Sequence, residues 1–544
     1  MSQIQYSANL SNDDFPLLSV LQGRTVIVGK TDQDYELEVN QNKLQRERRI
    51  PQAYYAHNVM PSGQGYQSVG FLEKIPPHPI ATDFSGYFTL RDIDENKSLY
   101  SPSGGKNYVW DRNVGAWTSV NPITGHESAL VTFAYLGGET YIFYQKIGCF
   151  KYDRLTQAFV SVTLVGLNVL LINGICSSSG FLLAWDDTNT IYRSQAASPL
   201  DFTPAPELGS GSGVPEDIRG KIVVVLPIAN GYIVYTTDNA VGASFQQNIR
   251  YPFVYKEING SSGINESNHV TWQQNLGEHY VWSKSGLQKV NKTSAVQVFP
   301  EVTDFLISKV FEDYDTTTDS FIVTKLTSQV NVLCHVIGER FLVISYGVVT
   351  GIFTHAIVYD LAFKRFGKIK IEHVHVFKFV IPNLSGEITW DMLGDLSWDD
   401  LGDTTWNDLG FQVLTQETPK EIIAFLGKDG KVSVVNFDLV HIDDAGVIVL
   451  GKYQFVRENL VQLDEIRLEN IDQSFVNFAI KHFVSTNGKT IAYKNNPYLK
   501  ESSESFRHYL CTPPQTIGIN HSIAVKGTFH LANLNLTMHL VGRR

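Results

Sequence analysis

The sequence predicts a nearly all-β fold built on a β-propeller of six or seven blades, with a β-sandwich-like domain after it. Three observations carry this. Aromatic residues make up 12% of the 544-residue chain, led by 31 Phe and 25 Tyr, while Met numbers only 4 and Gly 42; that balance favours strands and turns over helices. A hairpin signature recurs: Trp110-Asp111-Arg112 precedes Trp117, Tyr152-Asp153-Arg154 precedes Phe159, and Tyr359-Asp360-Leu361 precedes Phe366. Aromatic residues at 110, 152, 192, 235 and 282 are separated by steps of 42, 40, 43 and 47 residues, the length of a four-stranded propeller blade.

Each copy of the signature reads as a strand, a turn and a returning strand. The Asp can accept hydrogen bonds from backbone amides two residues on, and the two rings, seven residues apart, can pack across the hairpin. Weaker copies lie at Ile191-Tyr192-Arg193, Ile233-Val234-Tyr235 and Tyr280-Val281-Trp282. The 77-residue step from 282 to Tyr359 would hold nearly two blades, and Ile422 to Phe437, with its Lys428-Asp429-Gly430 turn, a last one. Residues 1–80 and 441–544 do not follow the period. We therefore expect an N-terminal, partner-facing extension over 1–80, the propeller over 81–440 and the sandwich-like domain over 441–544. Ser522-Ile523-Ala524-Val525 and the alternating Leu534-Asn535-Leu536-Thr537-Met538 supply strands of the latter.

A second, tighter repeat interrupts the propeller: Trp390-Asp391-Met392-Leu393-Gly394, Trp398-Asp399-Asp400-Leu401-Gly402 and Trp406-Asn407-Asp408-Leu409-Gly410. A period of eight keeps the tryptophans on one face of an extended segment or of successive turns; a helix would scatter them. No Lys or Arg occurs from Phe379 to Pro419. Rings alternating with uncompensated carboxylates suit a projecting insertion over 387–410 better than a core, where unpaired charge costs several kcal/mol. Trp390, Asp391, Trp398, Asp399, Trp406 and Asp408 are accordingly the expected partner or channel contacts.

Other features exclude functions. A net charge of -11 argues against wrapping nucleic-acid phosphates, which requires clustered Lys and Arg. The basic segment Lys43, Arg46, Arg48 and Arg49 reads as a solvated or partner-facing patch. Cys149, Cys176, Cys334 and Cys511 are far apart in sequence, so buried free thiols are expected rather than a zinc site or disulfide framework. The opening Met1-Ser2-Gln3-Ile4-Gln5 has no basic or apolar signal-peptide region, so none is expected, and the most apolar run, Val160 to Ile175, is too short and too interrupted to span a bilayer. His373-Val374-His375 reads as strand alternation rather than a metal pair. No phosphate loop, nucleophile elbow or sialidase box is present. We expect no enzyme, no cofactor and no metal.

Phrases scattered over most of the chain resemble structural proteins of short-tailed bacteriophages. They are Pro51-Gln52-Ala53-Tyr54-Tyr55-Ala56-His57-Asn58-Val59 with Gly65-Tyr66-Gln67-Ser68-Val69-Gly70, Ser198-Pro199-Leu200-Asp201-Phe202-Thr203-Pro204, Ile357-Val358-Tyr359-Asp360 with Arg365-Phe366-Gly367-Lys368, the Trp-Asp repeat and the ending from Gly527. The resemblance is strongest to tail-tube and nozzle proteins. It implies a propeller within a homohexameric ring that extends the DNA channel below the portal and adaptor, carries tail fibres or spikes, and lets double-stranded DNA pass without specific binding. The expected location is the virion tail, after assembly in the host cytoplasm. The alternative is a glycan-binding propeller whose tryptophans stack on sugar rings.

Overall fold

The computed structural model describes residues 130–380 almost continuously, with 154, 157, 272–276, 309, 316–319, 326–329, 338–339 and 350 left out. Before that stretch it describes 3–9, 26–28, 53–62, 65–72, 76–77, 79, 87–89, 97–102, 108–111 and 115–119. After it come 421–436, 446–455, 460–470, 477–486, 489–495, 498–502, 507–513, 517–518 and 520–542. These residues are overwhelmingly strand. The chain divides into two compact units, residues 73–296 with 374–434, and residues 1–72 with 297–373 and 435–544.

The first of these units is the propeller. Its sheets are antiparallel meanders laid down in chain order. Blade one is Tyr87–Thr89, Lys97–Pro102, Tyr108–Asp111 and Ala116–Ser119. Blade two is Val131–Leu136, Glu139–Tyr144, Gly148–Asp153 and Ala158–Val162. Blade three is Ile172–Ser178, Phe181–Asp186, Ile191–Arg193 and Gly211–Gly213. Blade four is Ile222–Ile228, Gly231–Thr236, Ala240–Phe245 and Phe253–Glu257. Blade five has His279–Ser283, Gly286–Val290 and Ala295–Gln297, with Val270 bridged to Val281 in the place of a first strand. Blade six begins His375–Val380, Glu421–Leu426 and Val432–Asn436.

Apolar residues fill each seam because both faces of every blade are covered by neighbours. Val109 of blade one enters the cluster of Ile142, Tyr144, Tyr152 and Phe159 in blade two. Phe143 and Cys149 meet Ile175 and Leu182 of blade three, and Phe181 and Trp185 meet Val225 and Tyr232 of blade four. Val224 and Tyr235 meet Val281 and Val290 of blade five. Phe379 of blade six lies 5.1 Å from the buried Trp110 ring of blade one, so the last sheet packs back on the first.

The second strands of blades one to five start at Lys97, Glu139, Phe181, Gly231 and His279, steps of 42, 42, 50 and 48 residues. The blade length read from the aromatics is therefore right, although its markers are mixed. Trp110, Tyr152 and Tyr192 lie on third strands, whereas Tyr235 and Trp282 lie on second strands.

The stretch between blades five and six is where the expected division at 80 and 440 departs from the structure. Residues 297–373 belong to the other unit rather than to the propeller's. After a helix, Pro300–Ser308, and a two-stranded hairpin, Val310–Asp315 with Ser320–Lys325, the strands Asn331–Ile337, Phe341–Gly347, Phe353–Asp360 and Arg365–His373 form a meander, but that meander extends a 12-stranded sheet through Val59–Ser62 and Gly65–Ser68 to His530–Gly542 and Leu460–Asn470. A six-stranded sheet carries Ala53–His57, Gly446–Phe455, Asn520–Thr528 and Asn477–Thr486. Phe478 and Tyr509, one from each sheet, pack with ring centres 4.9 Å apart. The sandwich-like domain is thus assembled from three separated stretches, because strands of 435–544 pair with strands of 1–72, and Val59–Ser62 of that stretch pairs in turn with Arg365–His373.

The hairpin chemistry holds in both units. Trp110 pairs with Trp117, Tyr152 with Phe159 and Tyr359 with Phe366, with ring centres 4.8, 5.2 and 4.6 Å apart. Asp153 accepts from the Leu155 amide at 3.0 Å, and Asp360 from the Ala362 and Phe363 amides at 2.9 and 3.0 Å. All four cysteines are buried thiols. Burial pushes the Cys149 thiol up to about 12 and Cys511 to about 11. His373 and His375 are both buried but end one strand and begin another, rather than alternating along one.

Candidate functional site

Two features of the propeller's first-to-second-strand connections set out a candidate site. The first is the polar mouth formed by blades two, three and four. Their connections are two-residue turns, Gly137-Gly138, Ser179-Gly180 and Ala229-Asn230, closed by the pairs Leu136 with Glu139, Ser178 with Phe181 and Ile228 with Gly231. The first two turns have positive φ at both positions, 62° and 79°, then 51° and 86°, the backbone that continues the right-handed twist of the strands. Gly137, Gly138, Gly180 and Asn230 suit the left-handed region, and Ser179 adopts it at φ 51°.

Serine hydroxyls fix the turns to one another. Ser177 Oγ donates to the Tyr135 carbonyl at 2.7 Å, and Ser178 Oγ to the Gly231 carbonyl at 2.6 Å. Lys292 Nζ donates to the Asn230 carbonyl at 3.1 Å, tying blade four to blade five. Between them the turns border a half-open cleft of ≈ 380 Å³ lined by Tyr135 to Gly137, Ser177 to Gly180 and Pro227 to Asn230. Its lining contains no Asp, Glu, Lys or Arg. The inner strands Val131–Leu136, Ile172–Ser178 and Ile222–Ile228 are equally uncharged.

The opposite ends of the same seams carry ion pairs instead. Lys146 meets Asp187 at 2.9 Å and Lys284 meets Asp238 at 3.1 Å. The Lys146 ammonium, with the Asn173 amide, holds the Asp187 carboxyl below the usual range. These pairs are solvent-exposed and align blades more than they stabilise them.

The second feature is the connection in blade six. His375–Val380 and Glu421–Leu426 are paired strands in which Val380 faces Glu421 directly. Val380 and Glu421 stand in the place where blades two to four have the ends of two-residue turns. The intervening segment carries the tryptophan repeat. Trp390, Asp391, Trp398, Asp399, Trp406 and Asp408 lie outside the described residues, as do Lys43, Arg46, Arg48 and Arg49.

The resembling phrase at 198–204 has a structural task. Phe202 is buried among Leu164, Ile175 and Leu182, its amide bonds the Val165 carbonyl at 2.8 Å, and Asp201 accepts from Gln195 Nε2 at 2.8 Å. The phrase closes the seam of blades two and three. Among the described residues, no group of three or more His, Cys, Asp or Glu is placed to hold a metal ion.

Sequence reasoning missed Tyr135, Ser177, Ser178, Ser179 and Asn230. The dipeptides Gly137-Gly138, Ser179-Gly180 and Asn230-Gly231 do signal tight hairpins. Nothing local says that the three turns meet.

No protein-family model and no curated protein matches the chain. Among solved structures the chain is similar to U3-55K, with 7% identity and a TM-score of 0.35 over 56% of this chain and 84% of that one. It is similar to the WD40 β-propeller domain of Doa1, with 8% identity and a TM-score of 0.35 over 65% and 95% of the two chains. A chain of a mitotic checkpoint complex gives 10% identity and a TM-score of 0.34 over 67% and 96%. The sheets described above, not these likenesses, carry the propeller assignment.

Proposed function

We propose that this chain is a structural subunit of a virion tail, a nozzle or hub protein that assembles into a homomeric ring around the path of double-stranded DNA and has no catalytic role. The observation that carries this reading is the direct pairing of Val380 with Glu421. A propeller blade that could be closed by two residues instead opens onto a segment holding three Trp-Asp or Trp-Asn repeats and no Lys or Arg. Such a segment costs the propeller little and offers a partner large apolar rings, the residues that dominate protein–protein contacts.

The charge pattern fits a passive conduit. Each phosphate neutralised by Lys or Arg adds salt-dependent affinity and thus friction; a chain of net charge -11 avoids this. The duplex would pass through the ring of subunits rather than through a single propeller. Adaptor, fibre and spike proteins are the expected partners in such a tail, and the resemblance of the phrases at 51–70, 198–204 and 357–368 points the same way.

Native mass spectrometry of the purified chain, alone and with the tail adaptor of the same virion, tests the reading. A closed homo-oligomer in either sample is expected. A monomer in both sinks it.

A further inference from the structure

The geometry points to a second property that the conduit reading does not require: the mouth formed by blades two, three and four is a binding site for an uncharged saccharide. The chemistry of the lining selects this class. A phosphate, carboxylate or ammonium group in the cleft would give up part of its hydration and meet no opposite charge in the lining, since no Asp, Glu, Lys or Arg lines the site. The nearby Lys292 ammonium is directed to the Asn230 carbonyl.

The lining offers short neutral groups that both donate and accept. The Ser179 hydroxyl and the Asn230 carboxamide sit on exposed turn positions at the rim, and hydroxyls and carboxamides match the mixed donor and acceptor pattern of sugar hydroxyls. Ser177 and Ser178 spend their hydroxyls on the Tyr135 and Gly231 carbonyls and so fix the rim rather than bind. Tyr135, 40% exposed in the lining, supplies an aromatic face for the apolar side of a pyranose ring while its hydroxyl stays polar. The volume of ≈ 380 Å³ lies within the range of small-ligand pockets. Because the turns are clamped to one another by serine bonds, the cavity is formed before a ligand arrives, which lowers the entropic cost of binding.

The site differs from the tryptophan stacking expected from sequence: its ring is Tyr135 and its polar groups come from three turns. Backbone conformation allows a clean test. Ser179 and Asn230 have φ of 51° and 55°, so Ser179→Gly and Asn230→Gly remove the polar groups without straining the turns. The purified full-length chain is titrated by calorimetry with maltose, lactose and chitobiose, and in parallel with sialic acid, inorganic phosphate and a lysine-rich peptide. At least one neutral saccharide should bind. Tyr135→Ala and the double glycine variant should each weaken it at least tenfold with unchanged melting temperature, while Tyr135→Phe keeps most of the affinity. Absence of neutral saccharide binding at tens of millimolar overturns the proposal. So does binding indifferent to the double glycine variant, which tests the site even if Tyr135→Ala fails to fold, or tighter binding of phosphate or peptide at these residues. The titration needs no ring, so its failure is separate from failure of the conduit reading.

Discussion

Val380 and Glu421 stand opposite each other in one antiparallel pair, although the tryptophan repeat lies between them in sequence. Their backbones are already at hairpin distance, so an Asn-Gly type I′ turn can join them without moving either strand. A subunit with 381–420 replaced by Asn-Gly should therefore fold, with a melting temperature within a few degrees of the parent, while virions carrying it assemble poorly or lose DNA. Calorimetry of the isolated subunit and titre of the particles check both halves. An unfolded subunit would place the repeat in the core and remove it as a partner contact.

The Asp360 carboxylate is fully buried, accepts two turn amides and meets Arg340 Nε at 2.9 Å. Asp360→Ala strands those donors and should cost about 2–4 kcal/mol. Asp153 holds a similar turn in the open, and its alanine variant should be much milder. Denaturant midpoints of the two variants decide; equal losses would show that burial is not the source of the difference.

Ser178→Ala removes the bond from blade three to the Gly231 carbonyl of blade four. A loss of about 1 kcal/mol is expected, seen as a lower melting temperature with the secondary structure unchanged. No loss would mean that apolar packing alone sets that seam.

Four histidines, His279, His373 and His482 buried and His335 partly so, predict acid sensitivity. His279 donates from Nε2 to the Pro227 carbonyl and accepts at Nδ1 from the Tyr235 hydroxyl; His373 donates from Nδ1 to the Ile371 carbonyl and accepts at Nε2 from Ser345. These are the roles of the neutral rings; a protonated ring would donate to the hydroxyl instead. Burial lowers His279 and His335 to about 4, and His373 and His482 to about 3. Unfolded histidine titrates near 6.5, so below that pH the unfolded chain takes up protons that the folded chain refuses. Stability should be flat above about pH 7 and fall as pH drops from 6.5 toward 4, by up to about 1.4 kcal/mol per pH unit for each fully shifted group. Urea melts at pH 7, 6 and 5 check the window before most carboxylates titrate; a level profile contradicts it.

A conduit wall should not grip DNA. Purified protein is expected to bind duplex DNA weakly at physiological salt with a shallow dependence on ionic strength. Tight binding with a steep slope would instead mark an anchoring or packaging protein.

The sequence by itself determined the all-β class, the blade length of 40 to 50 residues and the chemistry of single hairpins. These are local: two rings seven residues apart on paired strands must meet, and an Asp at the turn finds amides two residues on, whatever lies beyond. That is why Tyr359 and Phe366 pack as Trp110 and Trp117 do, and why they could not disclose that their meander belongs to a different unit from blades one to five. Membership in a sheet is decided by edge pairing between distant strands. One such pair, Lys368 with Val59, links 365–373 to strands some 300 positions earlier. Likewise the turns Ser179-Gly180 and Asn230-Gly231 are legible as turns, but the cavity between them exists only because consecutive blades pack side by side, bringing Tyr135, Ser179 and Asn230 around one opening. Periodicity reports what a strand does with its own neighbours; only the tertiary structure decides which strands those neighbours are.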